Sequence, residues 1–237
     1  MSLDVIPIYA RFFGSWHIAI GRRPFRTTDL EGYYDRQSGV WQAKIDRFGF
    51  EGAYAELISR VLCHWRYRPK ASRPAVLDAG IGTGAMAAAF AKAFGRPHRL
   101  VGVDISADML GQVQRRFAAD QSGPELYQAD LAALPFADHS FDVVLIAHVL
   151  EHMSQPERVT AELHRVLKPG GMIIACITRR SWIGAYVQLM WRTHLVDAPV
   201  ARRWLQRAGF RAVRSLPLPK DRPARRWSIG YVALKAT

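Results

Sequence analysis

Three aspartates follow short, mostly apolar runs that read as successive strands: Asp78 in Val-Leu-Asp, Asp104 in Val-Gly-Val-Asp and Asp130 in Gln-Ala-Asp-Leu. An ionised carboxylate only accepts hydrogen bonds, so acids at strand ends suit the hydroxyl, amine or N–H groups of a polar ligand. Glycines recur at every second position after Asp78, as Gly80, Gly82 and Gly84, and an alanine-rich helical pattern begins at Ala85. Glycine lets the chain turn tightly and approach a ligand with no Cβ in the way. A third group, His148, Glu151 and His152, has spacings of three and four that place it on one side of a helical turn. An imidazole near its ordinary pKa could accept a proton from a hydroxyl or ammonium nucleophile, which makes His148 the candidate catalytic base. The H-x-x-E-H order is weak evidence for a metal, and no metal ion is expected.

The elements that must position these residues alternate from Pro74 onward. Strands are expected at Ala75–Asp78, Arg99–Asp104, Leu126–Ala129 and Phe141–Ala147, with helices at Ala85–Phe94, after an N-cap at Ser106, and at Gln155–Leu167. The run of Val143, Val144, Leu145 and Ile146 does not alternate, as a parallel strand buried on both faces requires. Lys168-Pro169-Gly170-Gly171 reads as a break and turn before a fifth strand, Met172–Thr178. Val200–Ala208 reads as a helix, and Phe210–Leu216 and Trp227–Leu234 as two final strands. Such alternation implies a doubly wound parallel sheet, in which ligands bind beyond the C-terminal strand ends. Asp142, at the start of its strand, lies at the far end from any such site and is read as structural.

Gly80-x-Gly82-x-x-Ala85, with Asp104 near the ~20-residue offset of a ribose-binding acid, also fits a dinucleotide site. The glycines alone therefore leave NAD and other adenosine cofactors open. The wider series is more selective: Asp78-x-Gly80-x-Gly82-x-Gly84, Asp104, Asp130, then L-P-F-A-D-H-S-F-D-V-V over 134–144, H-V-L-E-H over 148–152 and R-V-L-K-P-G-G over 165–171. It resembles the class I S-adenosylmethionine-dependent methyltransferases, in particular the small-molecule branch that includes quinone-biosynthesis enzymes, over about residues 74–178. The resemblance implies a Rossmann-like α/β fold: a doubly wound seven-stranded sheet, mostly parallel with an antiparallel last strand, plus an N-terminal helical lid. It implies S-adenosylmethionine as cofactor, with S-adenosylhomocysteine as product. Gly80, Gly82 and Gly84 would lie against the methionine and ribose portion, Asp78 near the amino group, Asp104 on the ribose and Ile105 along the adenine. Asp130 and the Leu131 backbone would meet the adenine amine, and His148 would border the sulfonium and substrate. Glu151 and His152 are common in the family whatever the substrate, and read as mostly structural.

Residues 1–73 are expected to form a helical arm or lid and 74–237 the cofactor domain, with a substrate-region insertion near 179–200. Aromatic residues crowd the first region, and Tyr33, Tyr34 and Trp41, with Arg179 and Trp182 from the insertion, are the candidate substrate contacts. Residues 1–26 could form an amphipathic arm at a membrane surface.

Net charge is +13, unevenly spread. Residues 1–73 hold 12 Lys/Arg against 7 Asp/Glu, residues 74–178 hold 8 against 11, and residues 179–237 hold 13 against 2. Basic, aromatic ends around an acidic centre favour a small anionic or amphiphilic acceptor, lipid- or quinone-like, and a peripheral membrane surface. No Asn-Pro-Pro-Tyr-type motif or Pro-Cys follows the fourth strand, so a nucleic-acid substrate is not expected; an RNA methyltransferase and a non-catalytic cofactor-binding scaffold are the alternatives. Two cysteines with no metal or disulfide spacing, and no run of about 18 apolar residues, favour a cytoplasmic protein, at most peripheral on the inner membrane face.

Overall fold

The structure is a computed structural model that describes residues 6–22, 32, 47–64, 71–119, 123–179 and 196–237. Its main body is a seven-stranded sheet. The strands are β3 (Ala75–Ala79), β4 (Arg99–Asp104), β5 (Glu125–Gln128), β6 (Phe141–Ala147), β7 (Leu167–Thr178), β8 (Arg211–Pro217) and β9 (Ser228–Leu234). Their order is β5-β4-β3-β6-β7-β9-β8, and only β9 runs against its neighbours. The expected doubly wound sheet with an antiparallel last strand is therefore present.

Strand alternation divides the side chains between two cores. Val76, Val143, Leu145, Ile174 and Val232 face one layer with helices α1 (Phe50–His64), α2 (Ala85–Phe94) and the apolar side of α3 (Ala107–Arg116). Leu77, Val101, Val144, Ile146, Ile173 and Ala233 face the other, with α4 (Pro156–Val166) and α5 (Ala198–Arg207). A sheet buried on both faces explains why Val143–Ile146 is apolar without a break. In α1 the buried positions Phe50, Ala53, Tyr54, Leu57, Ile58, Val61 and Leu62 keep three- and four-residue spacing, so one helix face covers the sheet.

Two expectations are corrected. The first residues are not helical: β1 (Ile6–Phe13) and β2 (Trp16–Arg22) pair as an antiparallel hairpin in a sheet of their own. Gly14 turns the chain with φ +59°, and the Ile, Phe, Tyr and Trp residues on either side favour strands. Of the rest of the expected helical arm, residues 23–31, 33–46 and 65–70 lie outside the described residues. Second, Lys168–Gly171 does not form a turn separate from the fifth strand. α4 ends at Val166 and β7 begins at Leu167. The four residues are held at the sheet by Lys235, whose N–H donates to Gly171 O (3.0 Å) and whose carbonyl accepts from Gly170 N–H (3.0 Å). Pairing with β6 skips from Phe141↔Leu167 to Val143↔Met172, which absorbs the extra length as an irregularity.

Candidate functional site

The strand order reverses beside β3, with β4 on one side and β6 on the other, so the C-terminal ends of these strands border a crevice. β3 leaves the sheet at Ala79 and turns over Gly80, φ +73°. A Cβ there would come within 2.4 Å of a Val149 methyl, so the loop after β3 and the loop after β6 approach each other as only glycine allows. Gly80 and Ile81 N–H both donate to Val103 O, at 2.8 and 2.9 Å, which ties the glycine turn to β4.

Asp104 then locks this turn. Its Oδ2 accepts from Gly82 N–H at 2.8 Å and its Oδ1 from Ser106 N–H at 3.0 Å. The carboxylate thus ties the glycine turn to the loop after β4. Ser106 Oγ accepts from Met109 N–H at 3.2 Å and caps α3, the expected N-cap. Asp130 forms a small turn of its own, its Oδ1 accepting from Ala132 N–H at 2.9 Å.

These groups line a cleft of about 670 Å³, together with Ile105, Met109, Leu131, Val149, His152 and Met153. A recess of about 320 Å³ adjoins it, sharing Gly80, Gly82 and Ala147 and adding Asp78, Thr83 and Tyr54. Asp78 is buried, and its Oδ2 has no hydrogen-bond partner. Burial raises its pKa to about 7; the Ala87 N–H, which lowers it, and the Asp104 charge, which raises it, are smaller effects. An unpartnered buried carboxyl oxygen at the end of a cleft is a receptor for a cationic group.

The other wall is a closed polar cluster. His148, which ends β6 in the left-handed region at φ +56°, is buried; its N–H donates to Cys176 O at 2.8 Å. Its Nδ1 lies 3.1 Å from both Glu151 Oε1 and Thr178 Oγ1, and its Nε2 lies 3.3 Å from Ser228 Oγ and 3.8 Å from Cys176 Sγ. Thr178 N–H donates to Glu151 Oε1 at 2.9 Å. The Phe50 ring meets the imidazole edge-on at 5.2 Å. Burial alone lowers the His148 pKa, but Cys176 and then Glu151 outweigh it and bring it to about 10. The Glu151 carboxylate, 3.1 Å from Nδ1, is the anionic partner of the ring. Burial likewise opposes the ionised form of Glu151, yet His148, with help from His152 and Thr178 N–H, brings its pKa down to about 2. The pair is an internal ion pair at the cleft floor. Both ring nitrogens are engaged within the protein, so a base role for His148 would require one of these contacts to open.

Most sequence-selected positions converge here. Gly80, Gly82, Asp104, Ile105, Asp130, Leu131 and His148 line the cleft, and Asp78 the recess. Gly84 does not. A Cβ on it would lie 3.0 Å from the Phe117 ring, so its small size serves packing against the end of α3. Asp142 is structural as read, accepting from Ala75 N–H (2.9 Å) and Lys168 Nζ (2.7 Å). Arg179 is exposed and its N–H donates to Trp227 O, while Tyr33, Tyr34, Trp41 and Trp182 lie outside the described residues. Sequence reasoning missed Tyr54, Met109, Val149 and Met153. Met109 and Met153 carried no chemical signal beyond being apolar, and only the packing of α1 on the sheet brings Tyr54 beside Asp78.

A methyltransferase-domain family matches residues 77–175, a segment from β3 into β7 that includes every residue lining the larger cleft. Residues 77–175 are a methyltransferase domain of the class I S-adenosylmethionine-dependent type. Among curated relatives, the ubiquinone/menaquinone biosynthesis C-methyltransferase of Desulfotalea psychrophila is 35% identical over 120 residues, covering 49% of this chain and 48% of that protein. The demethylmenaquinone methyltransferase of Clavibacter sepedonicus is 42% identical over 101 residues, covering 43% and 40%. The chain thus spans less than half the length of these relatives. The fold of the methyltransferase domain is also that of a possible histamine N-methyltransferase from Thermotoga maritima, with TM-score 0.67 and 18% identity over 87% of this chain and 99% of that one. The cofactor of the domain is S-adenosylmethionine. The residues present fit it: a carboxylate between two loops for vicinal hydroxyls, apolar walls for a flat base, and the unpartnered Asp78 oxygen for an ammonium group.

Proposed function

We propose that this protein transfers the methyl group of S-adenosylmethionine to a small, amphiphilic or anionic, quinone-like acceptor. The observation that carries the reading is the methyltransferase cleft, in which Asp104 and the unpartnered Asp78 oxygen stand at the ends of adjacent strands. The quinone-biosynthesis relatives support the acceptor class.

When bound, the cofactor supplies a methyl group already activated on a sulfonium. The chain's own residues have the tasks of binding, alignment and exclusion of water. In this reading Asp104 accepts from the ribose hydroxyls, Asp130 and the Leu131 backbone meet the adenine edge, and Ile105 and Met109 close on its faces. Asp78 holds the amino group, with Tyr54 beside it. The His148–Glu151 pair fixes the turn after β6, so that the Ala147–Val149 backbone would form a rigid wall beside the bound cofactor. Residues 1–73 and the segment near 179–200 supply the acceptor side.

The test is incubation of the purified protein with methyl-labelled S-adenosylmethionine and a reduced, short-chain 1,4-naphthoquinol under anaerobic conditions. Label is expected in the extracted ring product, with S-adenosylhomocysteine in equal amount. Label in added RNA, and none in any quinol, would overturn the acceptor assignment. No transfer to any fraction of a cell extract would overturn the enzymatic one.

A further inference from the structure

Four cations of the methyltransferase core are ion-paired. Arg99 pairs with Glu125, Arg116 with Glu51, Arg165 with Asp138 and Glu162, and Lys168 with Asp142. At one edge of the molecule, five arginines on two adjoining elements have no such pairing among the described residues. β8 is the terminal strand of the sheet, and α5 precedes it and packs beside α4. Arg202, Arg203 and Arg207 of α5 and Arg211 and Arg214 of β8 are all exposed, and among the described residues none is ion-paired to an acid. Arg202 and Arg214, with His64 from the end of α1, border an open groove of about 850 Å³ over Ala212–Leu216. Five unpaired guanidinium groups repel one another, and that repulsion is relieved by a partner carrying fixed negative charge.

Edge protection explains part of this. A strand edge is blunted by cations and bulges, and β8 has both, with its register shift between Arg211 and Arg214 and Ala212 at φ +51°. It does not explain α5, which has no open strand edge to protect and carries the same charge. Among the described residues the patch also has no exposed aromatic ring of the kind on which unpaired bases stack. Among the described residues the one exposed large hydrophobic side chain is Tyr127, on β5 at the opposite sheet edge. Among the described residues the patch therefore offers charge spread over two elements and no exposed ring to insert or stack.

We propose that the α5–β8 edge is a docking surface for the phosphate headgroups of an anionic lipid bilayer. The surface lies at one end of the sheet and leaves the cleft free. β9 connects the two, since it pairs with β8 and begins at Ser228, whose hydroxyl meets His148 at the cleft floor. Docking rests on the acceptor reading in one respect: an amphiphilic acceptor is held in a membrane, and a cationic edge would bring the open cleft to it.

The experiment is co-sedimentation of the full chain with vesicles of phosphatidylcholine alone and with about 30% phosphatidylglycerol, without cofactor or acceptor. Each cation near an anionic surface contributes about fivefold to partitioning. The wild-type protein is expected to bind the anionic vesicles at ~0.1 M salt and to be released near 1 M, where the screening length falls to about 3 Å. The double charge reversal R202E/R214E is expected to bind at least tenfold less, with an unchanged melting temperature and unchanged methylation of a soluble short-chain quinol. Equal binding to both vesicle types, or no loss in the double variant, would overturn the proposal. Displacement from the vesicles by a lower concentration of double-stranded RNA phosphate than of lipid phosphate would reassign the surface to nucleic acid. Vesicle binding requires no turnover, so a protein that binds vesicles yet methylates no quinol refutes the acceptor reading alone.

Discussion

On the β4 side of the cleft, the Asp104 carboxylate accepts from the backbone N–H groups of Gly82 and Ser106. On the β6 side, Glu151 and His148 neutralise each other inside the protein, enclosed by Thr178, Ser228 and Cys176. One wall presents charge to a ligand and the other consumes its own. The difference assigns separate tasks: the β3–β4 wall binds, while the β6–β7–β9 wall sets geometry. Asp78 belongs to the binding wall but has an oxygen without a partner, so its charge awaits a ligand.

Breaking the internal pair should have the largest effect. Replacing Glu151 with Ala leaves an uncompensated imidazolium at a site only 7% exposed and is expected to cost about 3–5 kcal/mol of stability, measured by urea unfolding. The pH dependence has a definite sign. The raised His148 pKa gives a contribution fully present below 6.5 and lost as pH rises through about 10. The lowered Glu151 pKa gives one present above 4.5 and lost as pH falls through about 2. The penalty of Glu151→Gln should therefore be greatest between these limits and shrink toward pH 10. A penalty that does not vary with pH would mean that packing, and not the ion pair, holds this wall.

The two walls also differ in how far they could be read from the chain. Asp78, Asp104 and Asp130 were legible because a parallel sheet buried on both faces tolerates carboxylates only at strand ends, where loops and ligands can satisfy them. The strand limits at 99–104 and 141–147 followed from the same burial. Gly84 shows the converse. Its spacing matched Gly80 and Gly82, but the space beside it is taken by Phe117, a packing contact that no local pattern encodes. The His148 cluster was seen only as a helical spacing, because Thr178 and Ser228 come from β7 and β9, 30 and 80 residues away. The N-terminal hairpin was misread because its aromatic residues suit either a helix face or a strand, and Gly14 alone marks the turn.

Next in size is Asp78→Asn. A carboxyl whose pKa is raised to about 7 from 3.8 stabilises the fold below the unfolded value and loses that contribution as pH rises through 7. At pH 8 the wild type therefore buries an unpaired charge, and the Asn variant is expected to be about 2–4 kcal/mol more stable without cofactor. It should bind S-adenosylhomocysteine more weakly and lose the wild type's rise in affinity from pH 6 to 8, as read by calorimetry. A variant that is both more stable and equally tight-binding would remove Asp78 from the binding wall.

Asp104→Ala should weaken S-adenosylhomocysteine binding at least tenfold, or ~1.4 kcal/mol. The variant also frees Gly82 and Ser106 N–H, so affinity loss could follow from a displaced glycine turn instead of a lost ribose contact. Ser106→Ala separates the two. It removes the hydroxyl that caps α3 through Met109 N–H, but keeps the backbone N–H that donates to Asp104. Loss of an N-cap costs about 1 kcal/mol, the smallest effect here and one confined to stability. If the variant melts earlier while S-adenosylhomocysteine affinity stays within twofold, the binding wall draws its affinity from the carboxylate and not from the rigidity of α3. If affinity falls in step with stability, the two walls are not separate devices, and the position of the helix is itself part of the ligand site.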